Sequence, residues 1–425
     1  MSRPDSSRFE ILRMLPRDGR FLFATRIVRL FAYGFLSVIL VLYLAELGLK
    51  ETQIGLLLTL TLIGDTLISL WITTSADRMG RRKMLVFGSV LMVFAGLLFA
   101  LTRHFVFLIV AATVGVISPS GMEIGPFLSI EQAALTQIVP GERRTQVFAW
   151  YNLFGSFTTA IGSLCGGTMV QGLEKAGVTP LASYRAIVMG YAAIGILLGL
   201  LFLQLSRAIE AEKLMTPSDA ASKPKTLLGL HKSRRVVFKL SGLFSIDAFA
   251  GGFVLQSILA YWFHVRYKVE PALLGSIFFG ANILAGFSAL AAARVAKKIG
   301  LINTMVFTHI PSNILLILVP LMPNLPLTIL VLLMRFSISQ MDVPTRQSYT
   351  MAVVDPDERS AAAGITGIAR TTGSSLSPVV TGPLLANSAL LSFPFFISGG
   401  LKIIYDLLLY RSFKSMKPPE EKKNF

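Results

Sequence analysis

Twelve apolar stretches, each long enough to cross a bilayer and joined by polar segments, constrain this chain more than any other feature. They run Phe21–Leu47, Thr52–Ala76, Met84–Leu101, Phe105–Val139, Thr145–Leu173 and Tyr184–Ser206, then Val236–Val265, Pro271–Ala296, Leu301–Met322, Leu325–Val354, Ser360–Asn387 and Leu390–Tyr410. A helix rises about 1.5 Å per residue, so roughly 20 residues cross the hydrocarbon. Spans four and ten, Phe105–Val139 and Leu325–Val354, exceed that length and must tilt, bend or project beyond it. Hydrophobic residues make up 53% of the chain and charged residues 15%, with a mean hydropathy of +0.66. An average soluble domain is about 25% charged, and its core could not hide this much apolar surface. The expected fold class is an all-α membrane protein with twelve transmembrane helices.

The net charge of +17 would suggest a nucleic-acid partner in a soluble protein. Here the cations gather at the ends of apolar runs, which makes them topological signals, and no nucleic acid is expected. Most of the 40 Lys and Arg residues lie on one side if both termini are cytoplasmic, and the reverse orientation inverts that bias. The expectation is therefore a multi-pass protein of a cell or inner membrane. Its parts are a basic cytoplasmic N-terminus (1–20), a six-helix bundle (21–206), a cytoplasmic linker (207–235), a second six-helix bundle (236–410) and a basic cytoplasmic tail (411–425). The N-terminal stretch has Phe9, Ile11, Leu12, Met14 and Leu15 to lay on a membrane surface, and it does not read as a cleaved signal. The single Cys165 excludes an intrachain disulfide, and the four histidines have no metal-ligand spacing. No phosphate-cradling Gly-Lys loop and no zinc helix is present, so neither cofactor nor metal is expected.

The two sets of six spans repeat one another. Pro140-Gly-Glu142-Arg143-Arg144 returns as Pro356-Asp-Glu358-Arg359-Ser360, and Tyr33-Gly34-Phe35 lies over Gly251-Gly252-Phe253. The near-constant offset implies two pseudo-symmetric bundles of six spans.

Between spans two and three lies Ser75-Ala-Asp77-Arg78-Met-Gly80-Arg81-Arg82-Lys83. Asp-Arg-x-Gly-Arg-Arg at this place resembles the signature loop of the major facilitator superfamily of secondary transporters, departing from it at Thr73 and Ser75. That resemblance implies the superfamily's fold, with spans one, four, seven and ten around a central cavity. It also implies a gating role for Asp77, Arg78, Gly80, Arg81 and Arg82. Asp77 would make a charge contact that stabilises the outward-open state, with Arg144 or the N-terminus of span eleven as its partner. Asp77→Asn would then shift the balance inward, which cysteine labelling from the cytoplasm can follow. In span five, Gly162-Ser-Leu-Cys-Gly166-Gly167 is similar to the superfamily's antiporter motif, with Ser163 in place of proline. Small residues there also have a packing explanation. Span four has Ala112 near the place where proton-driven drug exporters carry arginine.

Charges inside the spans are the remaining signal, because an ionisable group in hydrocarbon costs at least about 2.5–3.5 kcal/mol unless it faces a partner or water. Counted along the helices, Arg29, Glu131, Asp247 and Arg346 fall at similar depth, about 12 Å from the cytoplasmic end. One reading makes them ion pairs that hold the cytoplasmic ends of the bundles together. The other gives them chemistry: Glu131 or Asp247 takes up the coupling proton, or an arginine binds an anionic solute. Glu123 shares a broad face with Glu131, Asp342 is placed four residues before Arg346 to pair with it, and Arg335 and Arg370 have no sequence-local partner.

These readings converge on a secondary active transporter of a small organic solute, working as a monomer by alternating access and exporting its cargo in exchange for protons. Two alternatives stay open: proton-symport uptake of an anionic metabolite, favoured by the buried arginines, and a substrate sensor on the same fold. No nucleophile–base arrangement suggests an enzyme.

Overall fold

The computed structural model describes residues 15–122, 127–140, 144–210, 230–355 and 358–416. Its described residues form helices and connecting segments with no strand. Glu123 lies outside the described residues, as do the side chains of Asp77 and Arg144, most of the N-terminal stretch and most of the linker.

The twelve expected spans are all present as helices or interrupted helices. Seven are continuous: Glu51–Met79 (span two), Arg81–Leu101 (three), Arg144–Lys175 (five), Pro180–Leu203 (six), Pro271–Ile299 (eight), Leu301–Leu318 (nine) and Phe393–Phe413 (twelve). Span one is Arg17–Ser37 and Leu40–Glu46, which meet at 43°. Span four is Phe105–Val114 and Phe127–Ile138, span seven Arg234–Gly252 and Gln256–Tyr267, and span ten Leu325–Phe336 and Asp342–Ala352. Span eleven is Arg359–Ser375 and Ser377–Ala386, interrupted at Leu376, just before Pro378, where the ring disfavours continued helix.

The excess length of spans four and ten is thus taken up by a break. Spans one and seven are interrupted at nearby points of the repeat, at Val38–Ile39 and at 253–255. The break of span ten at 337–341 and the irregular stretch that begins at Gly115 of span four interrupt spans that the repeat pairs. Gly80 and Gly300 also match: each opens the helix after a basic turn, with φ of +103° and +87°, a backbone conformation that costs glycine nothing.

The chain divides into two compact units. The first holds the described residues within Met1–Gly48, Gly64–Lys213 and Val269–Phe279, and the second those within Leu49–Ile63, Leu214–Lys268 and Gly280–Phe425. Within the first, spans one and five cross closely enough that a Cβ on Gly162 or Gly166 would sit 2.2 or 2.3 Å from the carbonyl oxygens of Phe31 and Phe35. The glycines of the antiporter-like motif are therefore required by packing. Within the second unit, Gly373 of span eleven meets the Ser245 carbonyl of span seven in the same way, at 2.4 Å.

Large apolar side chains are left exposed along helical stripes, such as Val90, Phe94, Leu97 and Leu101 on span three. Such a stripe is intolerable in water and ordinary against lipid.

Candidate functional site

In the first unit, the site is a carboxylate enclosed by donors. The Arg29 guanidinium grips Glu131 with two bonds, Nη1 to Oε1 and Nη2 to Oε2, both 2.7 Å. Both side chains are fully buried. Thr25, one helical turn before Arg29, donates its hydroxyl to Oε1 at 2.9 Å, and the Tyr151 hydroxyl of span five donates to Oε2. Arg29 also lies over the Phe127 ring, 4.8 Å from its centroid, which gives its face an apolar and weakly attractive cover. Spans one, four and five are thereby tied at a single point. The neighbouring Arg26 is bound to the Tyr151 carbonyl at 2.7 Å and to Asn152 Oδ1 at 3.2 Å.

The second unit holds a larger cluster. Asp247 of span seven accepts from Lys402 Nζ at 2.6 Å on Oδ1 and from Arg346 Nη1 at 3.1 Å on Oδ2. The same Arg346 nitrogen donates to Asp342 Oδ2 at 2.9 Å, the pairing that their four-residue spacing predicts. Arg346 stands over the Phe244 ring at 5.5 Å, as Arg29 stands over Phe127. On the other side of Asp247, His309 Nε2 lies 3.9 Å from Oδ1, while His309 Nδ1 is hydrogen-bonded to Asp406 Oδ1 at 2.8 Å. Asn313, one turn along span nine, donates to Asp406 Oδ2 at 3.1 Å. The Tyr405 ring packs edge-on to the His309 ring, with centroids 6.1 Å apart. Spans seven, nine, ten and twelve all contribute, and Asp247, His309, Asp342, Arg346, Lys402 and Asp406 are each no more than 8% exposed.

The four charges expected at one depth are therefore resolved into two partnerships, Arg29 with Glu131 and Asp247 with Arg346, each inside its own unit. Arg370 belongs to the second unit, and its strongest electrostatic neighbour is Arg346, a like charge. The buried Nε atoms of Arg370 and Arg335 have no hydrogen-bond partner. Lys402, Asp406 and His309 were not among the residues expected from the sequence. They carry the same signal, ionisable groups in apolar spans, but lie on spans nine and twelve, away from those the resemblance places at the cavity.

The segment after span six anchors the signature loop. Glu210 accepts from the backbone N–H of Arg81 at 2.6 Å and of Arg82 at 3.3 Å, placing a carboxylate on the first turn of span three. The Arg81 guanidinium bridges Gln137 Oε1 at 2.8 Å and the Ile209 carbonyl at 3.1 Å, and Arg82 reaches the Leu205 carbonyl at 3.1 Å. Arg78 is exposed. The second unit has a comparable device at a different helix. Glu358 accepts from the backbone N–H groups of His231, Lys232 (2.9 Å) and Ser233 (2.8 Å), just before the helix that begins at Arg234. Burial works against this charge, but the hydrogen bonds from Ser233 and the three backbone groups outweigh it and hold the Glu358 carboxyl down to about 2.

Among the described residues no group of three or more His, Cys, Asp or Glu side chains is arranged to hold a metal ion.

Comparison with known proteins agrees with this architecture. The family model of the Major Facilitator Superfamily matches residues 22–378. An uncharacterized membrane protein of Saccharomyces cerevisiae is 32% identical over 418 residues, covering 92% of this chain and 93% of the yeast protein. The quinolone resistance protein NorA of Staphylococcus aureus is 24% identical over 138 residues, 32% of this chain and 34% of its own. Among solved structures, a bacterial homolog of the human lysosomal transporter Spinster, inward-facing and occupied, superposes with a TM-score of 0.71 at 16% identity and 98% coverage of both chains. A D-xylose–proton symporter superposes with a TM-score of 0.70 at 15% identity, over 92% of this chain and 97% of its own. At such identities the structural likeness speaks for the fold alone. With the family model spanning most of the chain and a twelve-helix repeat beneath it, this multi-pass membrane protein belongs to the major facilitator superfamily, a family of transporters of small molecules.

Proposed function

We propose that the chain exports a small organic solute in exchange for protons by alternating access, with the buried charges of its two units as the coupling machinery. The observation that carries this reading is the Asp247 cluster. Six ionisable side chains from four spans are held out of water, four of them joined by hydrogen bonds through Asp247 and Arg346 and the His309–Asp406 pair set 3.9 Å from Asp247. Buried charge on this scale in a membrane protein marks solute pathways and proton relays more often than packing. The local similarity to a quinolone resistance protein supports efflux as the direction. In this reading both termini are cytoplasmic, 21–206 and 236–410 act as the two moving bundles, 207–235 joins them, and the protein works as a monomer.

A solute panel in proteoliposomes with an imposed pH gradient tests the reading. The expected result is solute movement that follows the direction of the gradient and stops when the gradient is collapsed. Movement indifferent to the gradient would overturn the coupling.

A second reading, proton-symport uptake of an anionic metabolite, is favoured by one observation, the unbonded Nε atoms of Arg335 and Arg370. A guanidinium with an unbonded Nε can still take a carboxylate or phosphate that offers two oxygens. Under that reading the panel responds to carboxylates or phosphate esters, and Arg370→Ala removes the response.

A further inference from the structure

We propose that the exchangeable proton of this protein is bound by the His309–Asp406 dyad between spans nine and twelve, with Asp247 as the neighbouring station. This rests on the proton-coupled reading above and assigns it a site.

Within the two charge clusters, the partners of the carboxylates single out Asp406. Glu131 is engaged at both oxygens by Arg29 and receives two further hydroxyl donors. Protonating it would strand a buried guanidinium and break a bidentate pair. Asp247 is held by two fixed cations, Lys402 and Arg346, and Arg346 also holds Asp342. Asp406 differs from all three. It is fully buried, yet its hydrogen-bond partners are an imidazole and an amide, His309 and Asn313. Among the described residues it is the carboxylate of this cluster whose hydrogen-bonded cation can gain or lose its charge.

The groups facing His309 are Asp406, Lys402 and Tyr405 of span twelve, Asp247 of span seven and Asp342 of span ten, and Arg346 of span ten is paired with both Asp247 and Asp342. Three carboxylates face two permanent cations, so this shell is neutral when His309 carries a proton and holds one net negative charge when it does not. Arg370 of span eleven acts electrostatically on Arg346, Asp247 and Asp342 and adds a further positive charge around the cluster. Histidine is the side chain whose charge ordinarily changes between about pH 5 and 8. Its two ring nitrogens also face different carboxylates, Nδ1 toward Asp406 and Nε2 toward Asp247, 3.9 Å away. A proton accepted at one nitrogen can leave from the other, which places Asp247 next on the path. Release of the proton removes the positive charge between two carboxylates and weakens the tie that joins spans seven, nine and twelve.

The test reads the proton itself. A variant with His104, His231 and His264 all changed to glutamine leaves His309 as the one remaining histidine of four. Reconstituted in lipid with its histidine rings labelled with nitrogen-15, it reports the His309 protonation state directly. The expected result is a ring signal that titrates in a single step between about pH 5 and 9. In Asp406→Asn, which keeps the shape and the Asn313 contact, the midpoint should move by about one pH unit or more. A ring whose state is constant over that range, or a midpoint unmoved in D406N, overturns the proposal. Recording the same range on wild-type protein keeps the test open if the triple variant folds poorly, since the signal displaced by D406N is then that of His309. Failure here is separable from failure of proton coupling. A titrating ring with solute flux that ignores a pH gradient sinks the coupling and leaves the proton site, whereas gradient-driven flux with a ring of fixed charge does the reverse.

Discussion

The Arg29–Glu131 site of the first unit is a closed pair, and the Asp247 cluster of the second is a branched chain. Arg29 and Glu131 satisfy one another through two bonds, and Thr25 and Tyr151 donate to the remaining carboxylate capacity. In the second unit Arg346 divides one nitrogen between Asp247 and Asp342, Asp247 divides its oxygens between Arg346 and Lys402, and His309 stands between two aspartates. A closed pair has one favourable arrangement, and disturbing it costs the full desolvation of whichever charge is left. A branched chain can lose one link and redistribute the others. The same helix repeat thus carries a rigid joint in one unit and an adjustable one in the other.

Removing one member from each cluster should separate the two joints. Arg29→Ala leaves a fully buried carboxylate uncompensated and should cost about 3–5 kcal/mol, read as a large fall in melting temperature in detergent. Asp342→Asn leaves Arg346 and Lys402 both still paired with Asp247 and should cost less, about 1–3 kcal/mol. Equal losses from the two would erase the distinction between closed and branched. A smaller effect is expected at Glu358, outside the spans. Its folded-state carboxyl is held at about 2, below its ordinary value of 4.5, so its contribution is complete above pH 4.5 and is lost as the pH falls toward 2. Glu358→Gln should therefore lower the melting temperature at pH 7 and lose its difference from wild type near pH 2. Least of all should change with Arg370→Ala. Its Nε is unbonded and the like charge of Arg346 opposes the attraction of Asp247 and Asp342, so a large destabilisation would show an interaction of a different kind.

Much of the fold was legible because hydrocarbon permits so few solutions. The number of spans, their pairing by repeat and the basic turn before Gly80 all follow from apolar length and the placement of Lys, Arg and Gly. The interruptions were legible only in part. Gly115, Pro119 and Gly121 mark the irregular stretch of span four, and Pro378 the break of span eleven. Ser337-Ile-Ser-Gln-Met341 and the Ser37–Ile39 junction contain neither glycine nor proline, so tertiary packing decides them.

The candidate site divides in the same way. Asp342 with Arg346 could be read from spacing, because both lie on one helix. Lys402 and Asp406 have that same spacing, yet each bonds to another helix, Lys402 to Asp247 and Asp406 to His309. Partners across helices leave no linear mark. The polar companions of Glu131, Thr25 and Tyr151, are also silent in sequence, since a hydroxyl in an apolar run is common and its target is set by helix crossing. Glu210 gave no sign of its contact with Arg81 and Arg82, being one acid in a polar stretch.

Joint movement of protons and solute through one protein leaves a signature that needs no imposed gradient. Proteoliposomes loaded with a pH-sensitive dye and challenged with panel solutes would report it. Coupled exchange predicts that a transported solute shifts the internal pH with the wild-type protein and leaves it unchanged in protein-free vesicles. Solute accumulation with a flat dye signal would contradict it.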